Sequence, residues 1–102
     1  MLAATSHLPH AVAFALINSV DEHYLKFAPP SLRDMTRIAN SPAGVWSDIF
    51  FSNKKNVLTA IRNYTKSLKQ FETILAKNNK SAAIKFIEKA NSRRNIVRGE
   101  RT

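Results

Sequence analysis

Two short stretches hold the side chains that could do chemistry. The first is Ser6-His7-Leu8-Pro9-His10, and the second is Asp34-Met35-Thr36-Arg37. His7 and His10 are separated by three positions, so both could face one side of a helix and ligate a metal. No third ligand stands at a persuasive spacing, and the competing reading is a pair of hydrogen-bonded histidines at a kinked helix start. Ser6 next to His7 is not a nucleophile–base arrangement, because such partners meet in space rather than along the chain. Arg37 lies among Met35, Ile38 and Ala39, with Asp34 three residues before it. It could form a surface pair with Asp34, or hold a carboxylate through both arms of its guanidinium. Spacing alone leaves these two open. His23, beside Asp21 and Glu22, reads as surface, and Trp46 reads more readily as core than as a ligand platform. No constellation for a complete catalytic cycle is present.

The elements that must position these groups read as helices. Pro9 lacks an N–H, so it belongs in a first turn or makes a kink, and His7 stands at that disturbance. A helix is expected from Leu2 to about Lys26, buried on most sides between Ala11 and Ile17, where it is apolar nearly all round. Phe27-Ala28-Pro29-Pro30 breaks it. Ser31, with Asp34 three on, resembles a capping box for a second helix reaching about Asn40. Ser41-Pro42 signals a third, with Ser as N-cap, that carries Val45, Trp46, Ile49 and Phe50 on one side. From Asn53 to about Lys77, the residues Val57, Ile61, Tyr64, Leu68, Phe71 and Leu75 recur at steps of four and three, a heptad stripe that predicts a long helix packed lengthwise on others. Asn78-Asn79 ends it. Ser81 is the expected cap of a last helix using Ala83, Ile84, Ile87 and Ala90, which fades into a basic tail from about residue 93. The predicted fold is all-α, a helical bundle with one long heptad-patterned helix, in a single domain spanning residues 1–102. A dimer or an intramolecular bundle would give the same stripe.

Composition narrows the function. The chain has 102 residues and only two glycines, Gly44 and Gly99, and no glycine-rich phosphate loop. Cysteine is absent, which excludes disulfides and thiolate metal sites and is compatible with a reducing cytoplasm. The apolar run from Ala11 to Ile17 is too short to span a bilayer. The net charge of +9 is uneven: residues 1–50 carry three basic and four acidic side chains, and residues 51–102 carry thirteen and three. One reading of that half is a small basic helical module that binds nucleic acid or an acidic protein. The plainer reading is a lysine-rich solvated helix face.

The two opening stretches also carry a family resemblance. Ala3 to Leu16, with Ser6-His7-Leu8-Pro9-His10 inside it, resembles the SHLPH helix of prephenate and arogenate dehydrogenases. Leu32 to Ala39, then Ser41-Pro42, then Trp46-Ser47-Asp48-Ile49-Phe50, resembles the family's (F/L)(K/R)D-x-TRIA…W-x-DI segment. The blocks stand in the family's order and separation and cover about the first 60 residues. The resemblance implies the C-terminal helical part of an oxidoreductase of tyrosine biosynthesis, which oxidatively decarboxylates prephenate or arogenate with NAD or NADP. It implies an intertwined homodimer in the cytoplasm. It also implies that His7 and Arg37 bind substrate, Arg37 through a carboxylate, with Ser6, Asp34, Trp46 and His10 supporting them. The Rossmann domain and its catalytic histidine would lie in the same or a separate chain. These residues alone are expected to bind no cofactor or metal, to hold no catalytic residue and to show no turnover. At the family's usual glycine pair stand Pro30 and Ser31, and proline permits neither positive φ nor close backbone approach. The family's loop shape is therefore not carried over there.

Overall fold

The computed structural model describes residues 1–97. Those residues form helices and turns and contain no strand. A π-helical segment, Ala3–His7, runs into α1, Leu8–Ser19. Then come α2, Glu22–Leu25; α3, Pro30–Thr36; a 3-10 turn, Arg37–Asn40; α4, Ala43–Ser52; α5, Lys54–Ala76; and α6, Lys80–Arg94. The chain divides into two compact units, Met1–Asn63 and Tyr64–Thr102.

In the first unit, Pro9 explains the π segment. It cannot donate to the Thr5 carbonyl, and just ahead of it the helix widens so that the Leu8 N–H reaches the Ala3 carbonyl. The expected single helix to Lys26 is two helices. Val20 is extended (φ −90°, ψ 133°), and the Asp21 carboxylate accepts the His23 N–H at 2.8 Å, capping α2. The apolar run on α1 is also less covered than expected. Ala13 is 1% exposed, but its neighbours are half-buried and Ala15 is exposed.

The expected caps at Ser31 and Ser41 shift, to Pro29 and to Pro42. Pro29 is held extended by the proline after it, so α3 starts at Pro30, and no side chain caps it. Pro42 is the N-cap of α4, while the Ser41 hydroxyl turns back to donate to the Ile38 carbonyl at 2.5 Å. α3 stops at Thr36, whose backbone (φ −106°, ψ 4°) leaves the helical range; its hydroxyl donates to the Leu32 carbonyl. α1 packs against both α3 and the 3-10 turn. The core of this unit joins Ala3, Val57 and Ala60, with Leu8, Phe50 and Ile61 packed on it. Small residues let the π segment approach α5 closely, and burying Val57 contributes about 1.5–3 kcal/mol.

In the second unit α5 ends in a Schellman turn. Asn78 takes φ 54°, the Asn79 N–H reaches the Ile74 carbonyl and the Asn78 N–H the Leu75 carbonyl. Asn79, not Ser81, caps α6: its side chain accepts the Ala82 N–H at 3.0 Å. Phe71 of α5 meets Phe86 of α6 with ring centroids 5.0 Å apart. Past that contact the heptad stripe is open to solvent: Leu68 is 57% and Leu75 58% exposed. Of the residues expected to seat the last helix, Ile84, Ile87 and Ala90 are exposed and Ala83 is half-buried. The last residues of the basic tail, 98–102, lie outside the described residues.

Candidate functional site

Three of the side chains singled out by sequence, His7, His10 and Trp46, meet in one place. His10 stacks on Trp46, and His7 approaches the same indole edge-on, centroids 6.2 Å apart at 83°. The cluster extends through Phe50, which lies 5.7 Å from Trp46 and 6.2 Å from Phe14. Ser6 takes part through its backbone: its carbonyl lies 3.0 Å from His10 Nδ1. A carbonyl can only accept, so His10 carries its proton on Nδ1. The 3.6-residue repeat puts His10 and Phe14 on one face of α1, and α4 supplies Trp46 and Phe50 one turn apart.

His7 has a partner to which the sequence assigned no role. The Asn53 side-chain nitrogen lies 3.5 Å from His7 Nδ1. Asn53 occupies the corner between α4 and α5, where only folding brings it to His7. Its presence after the Trp46 segment was the one available signal.

Asp34 and Arg37 do not pair. Lys69 and Glu72, on the second unit, form the ion pair seen among the described residues, at 2.7 Å. The backbone change at Thr36 moves Arg37 off the spiral that carries Asp34, so the helical i,i+3 geometry is lost. Arg37 is exposed, at the head of a 3-10 turn that packs on α1. Its guanidinium is therefore presented to solvent rather than spent on Asp34.

No group of three or more His, Asp or Glu among the described residues could hold a metal. The described residues contain no strand, so the strand–glycine turn–helix unit that cradles a pyrophosphate is not built from them. No helix among the described residues is long and apolar enough to cross a membrane.

The second unit holds a groove of about 970 Å³ between α5 and α6. Its floor includes Ile74, Phe86 and Ala90, and Lys85, Lys89 and Arg93 stand along it at successive helical turns.

The fold and this cluster define an all-helical module with a histidine–tryptophan site and an exposed arginine on a turn that packs against α1. Residues 1–91 match the family model described as the dimerization domain of prephenate dehydrogenase, and the chain belongs to that family. It is 36% identical over 83 residues to the cyclohexadienyl dehydrogenase of Zymomonas mobilis, covering 74% of this chain and 28% of the relative. It is 33% identical over 89 residues to the prephenate dehydrogenase of Lactococcus lactis, covering 81% and 25%. Among solved structures it resembles the prephenate dehydrogenase of A. aeolicus in complex with hydroxyphenyl propionate and NAD+, with a TM-score of 0.81, 34% identity, and coverage of 91% of this chain and 35% of that one. The Synechocystis arogenate dehydrogenase shares the fold, with a TM-score of 0.83 at 20% identity over 92% and 37%. The chain thus spans about a quarter of the length of the curated relatives it matches.

Proposed function

We propose that this chain supplies the dimerisation surface and part of the substrate pocket of an oxidoreductase that decarboxylates prephenate or arogenate with NAD or NADP. The observation that carries the reading is the His7–Trp46–His10 cluster, on a helix against which the Arg37 turn packs. Arg37 binds a substrate carboxylate, and its planar fork suits that group. His7 hydrogen-bonds the substrate from the rim of the indole. Trp46 and His10 form an apolar wall that orients the ring. Asp34 and Ser6 support the site, Asp34 from the helix that leads into the Arg37 turn and Ser6 through its carbonyl to His10. The nucleotide and the group that accepts the hydroxyl proton belong to a Rossmann domain, in the same or a separate chain.

The dimer is a homodimer built on the open half of the α5 stripe, the two units acting as one domain. That stripe is continuous with the buried Val57 and the half-buried Ile61, so a second copy completes what this copy begins. The apolar floor between α5 and α6 suits a helix better than a phosphate backbone, which favours a second copy over the nucleic-acid reading of the basic half.

The test is prephenate binding by this chain together with a matching nucleotide-binding domain. Arg37→Ala should abolish most of the affinity. Unchanged binding would remove Arg37 from the pocket, and NAD-dependent turnover by the 102 residues alone would overturn the division of labour.

A further inference from the structure

Asn53 is held on every side. Its N–H donates to the Phe50 carbonyl at 3.3 Å and its own carbonyl accepts the Val57 N–H at 3.0 Å. Its side-chain oxygen accepts from Asn56 Nδ2 at 2.9 Å. With the oxygen so occupied, the amide nitrogen is the atom left to face His7, and it does so at 3.5 Å from Nδ1. An amide nitrogen is a donor only. His7 Nδ1 must therefore be the bare acceptor, and the ring proton of neutral His7 sits on Nε2. The Ala3–Val57–Ala60 core holds the π segment against the start of α5 and so fixes the distance between the two side chains.

We propose that Asn53 is the positioning residue that sets His7 as an Nε2–H hydrogen-bond donor, with Asn56 locking the orientation of the Asn53 amide. Resting on the reading of His7 as a substrate contact, this specifies the chemistry of the atom His7 meets: an acceptor oxygen, as on a carboxylate or hydroxyl. The neighbouring His10 is fixed in the opposite sense, Nδ1–H to the Ser6 carbonyl. The two histidines thus present different faces to the same pocket. An aspartate at position 53 would reverse His7: its carboxylate would accept from Nδ1–H and leave a bare Nε2 to repel an anionic ligand.

The test is the tautomer, read by nitrogen NMR on the full 102-residue chain at a pH of about 9, where imidazoles are neutral. In the wild type the His7 proton should sit on Nε2. Asn53→Asp should move it to Nδ1, while His10 stays unchanged. Asn56→Ala, which releases the amide, should give a mixture at His7. A wild-type proton on Nδ1, or a His7 spectrum indifferent to Asn53→Asp, overturns the assignment. Should Asn53→Asp fail to fold, an unchanged His7 in Asn56→Ala overturns it instead. None of this needs a ligand. Hydroxyphenyl propionate is then titrated with a matching nucleotide-binding domain present: the His7 Nε2 resonance should move, and affinity should fall at least about tenfold in Asn53→Asp. A stationary His7 with the expected tautomers would sink the substrate role while leaving Asn53 as the residue that sets His7.

Discussion

The imidazole of His10 lies flat on the indole of Trp46, centroids 3.5 Å apart and planes 13° from parallel. Face-to-face stacking at this distance fixes Trp46 from one side, and the Ser6 carbonyl fixes His10 from the other. The His7–Trp46–His10 cluster is thus set by a chain of contacts from the π segment to α4.

His10→Ala should remove a stacked pair and a hydrogen bond together, destabilising the chain by about 1–2 kcal/mol. Trp46→Ala, which also opens a space beside Phe50, should cost more, about 3 kcal/mol. Urea unfolding followed by circular dichroism measures both. Trp46 is the sole tryptophan, so its emission should change in His10→Ala even before unfolding. An emission spectrum identical to wild type would mean that the rings are not stacked in solution.

Arg37 gives a binding prediction. A guanidinium at an exposed 3-10 turn, unpaired with Asp34, is free to meet a carboxylate at little cost to the free protein. Arg37→Ala should weaken prephenate or hydroxyphenyl propionate about 10- to 100-fold, as expected for hydrogen bonds to charged groups. Arg37→Lys should recover only part, because an ammonium cannot reproduce the two-armed geometry. Thermal stability should stay at the wild-type value in both. Calorimetric titration distinguishes these outcomes, and full recovery in Arg37→Lys would argue for a point charge alone.

What was legible in the sequence follows from what is local. The heptad stripe of α5 was readable because periodicity is a property of a single helix. Asn78-Asn79 was readable as its end. Ser31 and Ser41 misled as caps because each adjoins proline: Pro30 takes the first position of α3, so the cap falls two residues before Ser31, and Pro42 takes the cap of α4 itself. Asp34 and Arg37 looked like an ion pair only while the helix was assumed to continue through Thr36. The His10–Trp46 stack and the His7–Asn53 contact depend on where α4 folds back, and no spacing rule reaches that far. The family resemblance singled out His7, His10 and Trp46 and ran on through Asn53, but it gave neither their arrangement nor a role for Asn53.

The junction of α5 and α6 gives a stability prediction. Asn78 sits at φ 54°, where a Cβ is tolerated poorly and glycine not at all strained. Asn78→Gly should leave stability equal or raise it slightly. Asn78→Ala should cost about 1 kcal/mol. Asn79→Ala should cost a similar amount by removing the acceptor for the Ala82 N–H. Chemical denaturation ranks the three, and a neutral Asn78→Ala would contradict the left-handed turn.

The last prediction concerns the open half of α5. Leu68 and Leu75 lie on the stripe that begins at buried Val57, yet more than half of each is exposed, and Tyr64 between them and the core is 39% exposed. Buried in a dimer, each leucine contributes up to about 1.5–3 kcal/mol per copy; left in water, each is a liability for solubility. A glutamate at either position costs the single chain little, because the side chain already faces solvent. In a dimer it places two like-signed, desolvated charges across a symmetric contact. Leu68→Glu and Leu75→Glu should therefore convert a wild-type dimer to monomer in sedimentation velocity while keeping most of the helical circular dichroism signal. Persistence of the dimer in both variants would place the interface elsewhere. A wild-type chain that sediments as a monomer at every concentration would reject the α5 stripe as a self-association surface.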